Sequence, residues 1–226
     1  MLGHILLLCD DVERPFLTDT LLAAAPTIDV RHVKNAQALT AVDPKLLPDS
    51  RLVGFMADPA LPPAALTALG FGAYNFHAGP PAYPGWMPAA FAVYDEATEF
   101  GATAHAMSGR EEGGAIIGID TFPVAPGTSR AELARRAYLA MLALFRRLAP
   151  ALATRPAPLP ALPNQWGNRR TTRALFADLC DIPTDIEKAE LLRRVRGLGE
   201  GDGYSVPTVW LHGIPFRFTP PRDSQQ

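Results

Sequence analysis

Apolar runs and amphipathic stretches take turns along the first half of the chain. His4–Cys9 is a short continuous apolar run, the pattern of a strand buried on both faces of a parallel sheet, and Asp10–Asp11 close it. Glu13–Ala25 then spaces Phe16, Leu17, Leu21 and Leu22 as one face of a helix, which Pro26 stops. Ile28–Val33 alternates as a second strand, and Asn35 caps a weaker helix running to Val42. Arg51–Ala57 is a third strand. Pro62–Leu69 follows as a helix whose leading proline lacks only an N–H that would be orphaned anyway. Gly72–His77 is a fourth strand. This alternation predicts right-handed βαβ units and an α/β fold with a doubly wound, mostly parallel sheet.

Further on, Met87–Tyr94 is apolar enough for a buried helix. Gly101–Met107 and Ala115–Val124 read as strands, and their short connection Ser108–Gly114 suits a hairpin. Thr128–Ala149 is the longest helix. Ser129 and Glu132 form a capping box, Leu133, Ala137, Met141, Leu144, Phe145 and Leu148 make one apolar face, and Pro150 ends it. Residues 154–163 carry four prolines in ten positions and are expected as a semi-rigid linker. The expected organisation is therefore a main domain over 1–153, the linker, and a small α+β C-terminal subdomain over 164–226. That subdomain is expected to hold a helix near Glu187–Arg196, strands around Pro207–His212 and Pro215–Phe218, and a basic patch of Arg169, Arg170 and Arg173.

Composition changes this picture little. The 226 residues are 48% hydrophobic and 19% charged, enough for one full domain and an appendage. A net charge of −2 gives no electrostatic reason to expect nucleic acid or an anionic membrane. No continuous apolar run reaches bilayer length, and the opening MLGHILLLCDD lacks the basic start of a signal peptide. Cys9 and Cys180 match no redox or metal spacing, so free buried thiols and a cytoplasmic location are expected.

The candidate chemistry gathers between Tyr74 and Gly118. Asn75 and His77 alternate at the end of the fourth strand, so both side chains leave the same face, and a Gly/Pro loop follows at 79–85. Open α/β sheets place ligands at that end of their strands. An Asn, a His and a carboxylate with no Ser or Cys nucleophile among them suit direct acyl transfer. The amide and imidazole can steady an oxyanion, and the carboxylate can take the proton of an attacking amine. Spacing alone favours a plainer reading, in which the Asn and His bond the loop backbone. His77, His105 and Glu112 show no metal-ligand spacing, and the loop has no phosphate-binding glycine pattern.

The order Asn75-Phe76-His77, Pro80, Tyr83-Pro84-Gly85, Phe100-Gly101-Ala102-Thr103-Ala104-His105-Ala106-Met107 and Gly114-Ala115-Ile116-Ile117 resembles the folate-dependent formyltransferases. That family acts on methionyl-tRNA, glycinamide ribonucleotide and amino sugars, and the resemblance runs from about Arg51 to Ala149. It implies a Rossmann-like domain that transfers a formyl group from formyl-tetrahydrofolate to an amine. It places the catalytic Asn and His on Asn75 and His77. The catalytic Asp, five residues past Met107 and two before Gly114, falls on Glu112. Glu adds a methylene at a position that tolerates little displacement. Gly79-Pro80-Pro81 stands where many members carry Ser-Leu-Leu-Pro, and Pro84 replaces a basic Arg.

The short tail and the missing Arg point away from transfer RNA and toward a small-molecule amine as acceptor, such as an amino sugar or amino acid derivative. Folate is expected along the turn after the third strand, at Met56, Ala57, Asp58 and Leu61, and the tail is expected to shape the acceptor site. Two alternatives stay open: a non-catalytic folate- or partner-binding homologue, and a formyl-tetrahydrofolate hydrolase. A homodimer also stays open.

Overall fold

The computed structural model describes residues 1–57, 61–107 and 113–220. Chain contacts divide it into two compact units. The first holds Met1–Pro81, Gly101–Thr121 and Ala137–Trp166, and the second holds Ala82–Phe100, Phe122–Arg136 and the chain from Gly167 on. The proline-rich stretch 154–163 therefore falls inside the first unit. Its Leu159 N–H donates to the Tyr74 hydroxyl at 2.8 Å, and its Leu162 N–H to the Ile116 carbonyl at 2.7 Å.

The first unit is built on strands β1 (His4–Leu8), β2 (Asp29–Val33), β3 (Ser50–Phe55), β4 (Ala73–His77), β5 (Glu99–Ala106) and β6 (Ile116–Pro123), in the order β2-β1-β3-β4-β5-β6. β1 pairs in parallel with both β2 and β3, and β3 with β4, while β5 runs antiparallel to β4. Helices α1 (Arg14–Ala24), α2 (Ala36–Thr40) and α3 (Pro63–Ala68) make the crossovers. Asn35 caps α2 as expected, its Oδ1 accepting from the Ala38 N–H at 2.8 Å. The strands are apolar on both faces because each face has its own cover. Ile5, Leu7, Val53, Phe55, Tyr74 and Phe76 pack against Leu17 and Leu21 of α1 and against Met141, Leu144 and Phe145. Leu6, Leu8, Leu52 and Ala73 pack on the other side with Leu39, Leu61 and Leu69. This is the doubly wound sheet that the alternation predicts.

Helix α5 (Arg130–Thr154) departs from expectation by running through Pro150. The carbonyls beyond the proline have a partner. Arg51, fully buried on β3, donates from its guanidinium to the carbonyls of Ala151 at 3.1 Å, Leu152, and Arg155 at 2.7 Å. Its Nε binds the Phe71 carbonyl at 2.9 Å, and the group lies 5.3 Å from the centre of the Tyr74 ring. A cation at a helix C-terminus also meets the negative end of the macrodipole. Length and composition would let α5 cross a bilayer, yet Met141, Leu144 and Phe145 are fully buried in the core of the first unit.

The second unit contains α4 (Pro88–Tyr94), α6 (Arg173–Cys180), α7 (Lys188–Leu198) and the three-stranded sheet β7 (Asp181–Ile182), β8 (Thr208–Leu211) and β9 (Ile214–Arg217). Its core is Ala90, Phe91, Phe176, Cys180 and Leu198. Gly197 lets α7 approach α4, since a Cβ there would lie 2.7 Å from the Ala90 carbonyl oxygen. Of the basic patch, Arg169 pairs with Asp95 at 2.5 Å. Arg173 begins α6 and stacks over Trp86 at 5.2 Å and Tyr204 at 5.1 Å.

Candidate active site

The site lies at the C-terminal ends of β3 and β4. Alternation along β4 sends Tyr74 and Phe76 into the aromatic core and leaves Asn75 and His77 on the opposite face. Antiparallel pairing with β5 sets His105 directly across from Asn75 and Thr103 across from His77. All three polar groups are nearly sealed: Asn75 is 2% exposed, His77 8% and His105 1%. The Thr103 hydroxyl donates to the Gly79 carbonyl at 2.8 Å and so ties the loop after β4 to the neighbouring strand.

Space for Asn75 comes from β3. Gly54 stands opposite it, and a Cβ at Gly54 would lie 2.7 Å from Asn75 Oδ1. A glycine inside a buried strand marks such an approach, so RLVGFMA carried a readable signal for this residue that the sequence reading passed over. The fold makes little use of the amide it accommodates. Asn75 Nδ2 reaches only the Ala57 carbonyl, at 3.5 Å, and Oδ1 is buried with no hydrogen-bond partner among the described residues. Leaving such a group unsatisfied costs about 1–3 kcal/mol, and a bound ligand would recover it.

The expected folate segment divides. Met56 and Ala57 line a cavity of about 310 Å³ at the ends of β1, β2 and β3, shared with Cys9, Asp10, Lys34 and Asn35. It sits where the winding reverses, β1 leading out to β2 on one side while β3, reached from β2, lies on the other, the switch point at which doubly wound sheets hold ligands. Met56 has φ of +52°, rare for a side-chain-bearing residue, and is 59% exposed. Its N–H bonds the Phe76 carbonyl at 3.0 Å, which holds the strained turn against β4. Leu61 instead packs into the core beside Leu6 and Leu52. Asp58 and Glu112 lie outside the described residues.

Asp11 stands near this cavity, bound by Lys34 Nζ at 2.7 Å, and that hydrogen bond holds its carboxyl below the usual range. Burial pushes the Cys9 thiol up to about 12, so it is no nucleophile at neutral pH.

Trp166 was missed. Its indole meets His105 edge-to-face, with ring centres 5.1 Å apart at 87°, and His77 at 6.2 Å and 71°. Its Nε1–H donates to the Gly114 carbonyl at 2.9 Å. Nothing in its local sequence signals this, because the contact bridges parts of the chain that only the tertiary fold brings together.

No protein-family model matches the chain, and no curated protein does. Solved structures do. A sugar N-formyltransferase from Shewanella sp. superposes with TM-score 0.72 at 17% identity, over 97% of this chain and 98% of that one. A 4-N formyltransferase from Francisella tularensis gives 0.73 at 16%, over 96% of each chain. The N-formyltransferase from Helicobacter canadensis in complex with folinic acid and dTDP-3-aminofucose gives 0.64 at 12%, over 95% of this chain and 86% of that one. The chain thus has the fold of the N-formyltransferases along nearly its whole length.

Proposed function

We propose that the protein is an N-formyltransferase, moving a formyl group from formyl-tetrahydrofolate to the amine of a small molecule, with an amino sugar as the first acceptor class. The observation that carries this is the sealed, underused amide of Asn75 beside His77 at the C-terminal ends of the strands. The family resemblance assigns those same two residues, and the same fold in the Helicobacter canadensis enzyme binds folinic acid and an amino sugar. Beside the cavity bordered by Met56 and Ala57, the weakly bonded Asn75 Nδ2 suits a ligand carbonyl oxygen and the unsatisfied Oδ1 suits a ligand N–H.

When bound, formyl-tetrahydrofolate supplies an activated formyl carbon. Asn75 Nδ2 and the His77 imidazole then donate to the formyl oxygen as negative charge gathers on it. Near-complete burial keeps water from screening those bonds. Glu112 would take the proton released by the attacking amine and pass it to the tetrahydrofolate nitrogen as that nitrogen's bond to the formyl carbon breaks. Met56 and Ala57 hold the donor at the end of β3, Asp58, next in the sequence, is assigned to the same role, and Leu61 supports the site from the core. Residues 164–226 select the acceptor.

The test is incubation with formyl-tetrahydrofolate and a panel of amino sugars and amino acid derivatives, read by mass spectrometry for the gain of one formyl group. Formate release without an acceptor would replace this reading with hydrolysis. No turnover alongside donor binding would make the chain a folate-binding homologue.

A further inference from the structure

In the second unit, the β7–β8–β9 sheet turns aromatic and charged side chains to solvent on one face. Its register lines up Asp181 on β7, Thr208 on β8 and Arg217 on β9 in a single row, so the three side chains leave the same face. Trp210, two residues on from Thr208, points the same way. All four line one hollow of about 460 Å³ together with Tyr204. Trp210 is 54% exposed and Tyr204 82%. Five of the eleven large apolar residues exposed on the described surface fall between Tyr204 and Phe216, a density that marks a contact surface. The Trp210 and Tyr204 side chains leave roughly 300 Å² open, over a third of the about 800 Å² that each partner buries in a standard interface.

A partner can meet a sheet at its edge or on its face, and here the outer edge is blocked. The Phe218 N–H bonds the Pro207 carbonyl at 2.8 Å, so by alternation Phe216 and Ile214 turn their N–H groups toward β8 while Pro215 and Arg217 face outward. Pro215 has no N–H to offer a further strand. The face remains, and its charges select the occupant. Five arginines of this unit, Arg130, Arg169, Arg193, Arg194 and Arg196, each sit against a carboxylate. The exposed Asp181 carboxylate and Arg217 guanidinium have no such partner among the described residues. They flank β8 on opposite sides, two strand spacings or about 9.6 Å apart.

We propose that this face is the contact surface of a homodimer, in which a two-fold axis along β8 sets Asp181 of each copy against Arg217 of the other, around a core of Trp210 and Tyr204. A two-fold contact must be its own complement. A surface of one sign would repel its copy, whereas this one carries one charge of each sign on either side of the axis. Facing sheets pack about 10 Å apart, a gap that an arginine and an aspartate reaching from opposite sides can close.

The experiment is sedimentation velocity of the full chain at about 1–100 µM, the range over which a modest dimer dissociates. Asp181→Arg makes arginine face arginine at both contacts, and Arg217→Asp makes aspartate face aspartate. Each alone should weaken dimerisation at least about tenfold with an unchanged circular dichroism spectrum. Mixed in equal amounts, the two variants should form a heterodimer within about threefold of wild-type affinity, because both contacts regain opposite signs. Trp210→Ser should weaken dimerisation most, by about a hundred-fold. A wild type that stays monomeric overturns the proposal, and so does a dimer indifferent to both charge changes. Single variants that weaken but do not restore each other on mixing also overturn it, since the loss then has a source other than exchange between two copies. None of these readings involves formyl transfer, so they stand or fall independently of the reaction.

Discussion

The two faces of strand β4 follow opposite rules within a single run of five residues. On one face Tyr74 and Phe76 join Phe55 and Phe145 in a closely packed aromatic cluster, with Phe76 and Phe145 centres 5.1 Å apart and Phe55 and Phe145 meeting at 87°. Every group there is apolar or, like the Tyr74 hydroxyl, bonded. On the other face Asn75 and His77 are just as buried, but a glycine has been placed opposite them and one amide oxygen has no partner among the described residues. The first face stores stability and the second gives some up. A polar group held dry and underused is explained if a bound ligand completes it, and the contrast therefore supports the proposed site.

The largest effect that separates the faces is expected from Phe76→Ala. Removing a fully buried ring should cost about 3–5 kcal/mol, because the cluster around it cannot collapse fully into the space. Urea titration with an unchanged m-value checks this. A loss below about 1 kcal/mol would mean that β4 is not the mechanical centre of the sheet.

On the other face the effect should move from stability to rate. Asn75→Ala and His77→Ala should each lower kcat by a hundred- to a thousand-fold, about 2.7–4 kcal/mol of transition-state stabilisation, while donor affinity changes little. Their double variant should cost less than the sum, since the two act as one unit. Glu112→Gln removes the proton acceptor while keeping its shape. Glu112→Asp is the sharper probe: a rate drop shows a site fitted to Glu, and a rate gain shows a decayed one. Full activity in Glu112→Gln would remove that residue from the mechanism.

Gly54→Ala tests whether the vacancy opposite Asn75 is what makes the second face work. The new methyl would meet Asn75 Oδ1 at 2.7 Å and Ala57 Cβ at 3.1 Å, so the amide must turn or the turn after β3 must shift. Activity should fall tenfold or more, in line with the sensitivity of such sites to displacement of about an ångström, with the protein still folded. Unchanged kcat together with an unchanged melting temperature would show that the close approach carries no function.

Much of this contrast could be read along the chain, and some could not. Strand alternation puts Asn75 and His77 on one face and Tyr74 and Phe76 on the other without any tertiary knowledge. Unbroken apolar runs such as Ile5–Leu8 announce strands covered on both sides. What stayed hidden depended on partners distant in sequence. The end of α5 looked fixed by Pro150, but Arg51, about a hundred residues earlier, supplies donors for the carbonyls beyond it. Of α6 only the arginine-rich start could be read, because Phe176 and Cys180 gave too short an apolar stripe to bound the helix. That His105 stands across from Asn75 follows only from the β4–β5 register. Trp166 was grouped with the tail because a proline-rich stretch precedes it, and prolines do not reveal which side the chain stays with.

The smallest expected effect concerns the turn that borders the second face. Met56 holds φ near +52°, a conformation that costs an L-residue about 1–2 kcal/mol and that glycine adopts freely. Met56→Gly removes that cost but also loosens the unfolded chain, which returns roughly 0.5–1 kcal/mol of the gain. The net should be a stabilisation of up to about 1 kcal/mol, seen as a melting temperature higher by about 2–4 °C. If the strain exists to present the Met56 side chain and the following backbone to the donor, the same variant should raise the donor KM while it raises the melting temperature. A stabilised protein with an unchanged donor KM would assign the strain to the β3–β4 backbone bond at Phe76 and move the donor site away from Met56. A destabilised protein would show that the half-exposed methionine contributes packing worth more than the strain it carries.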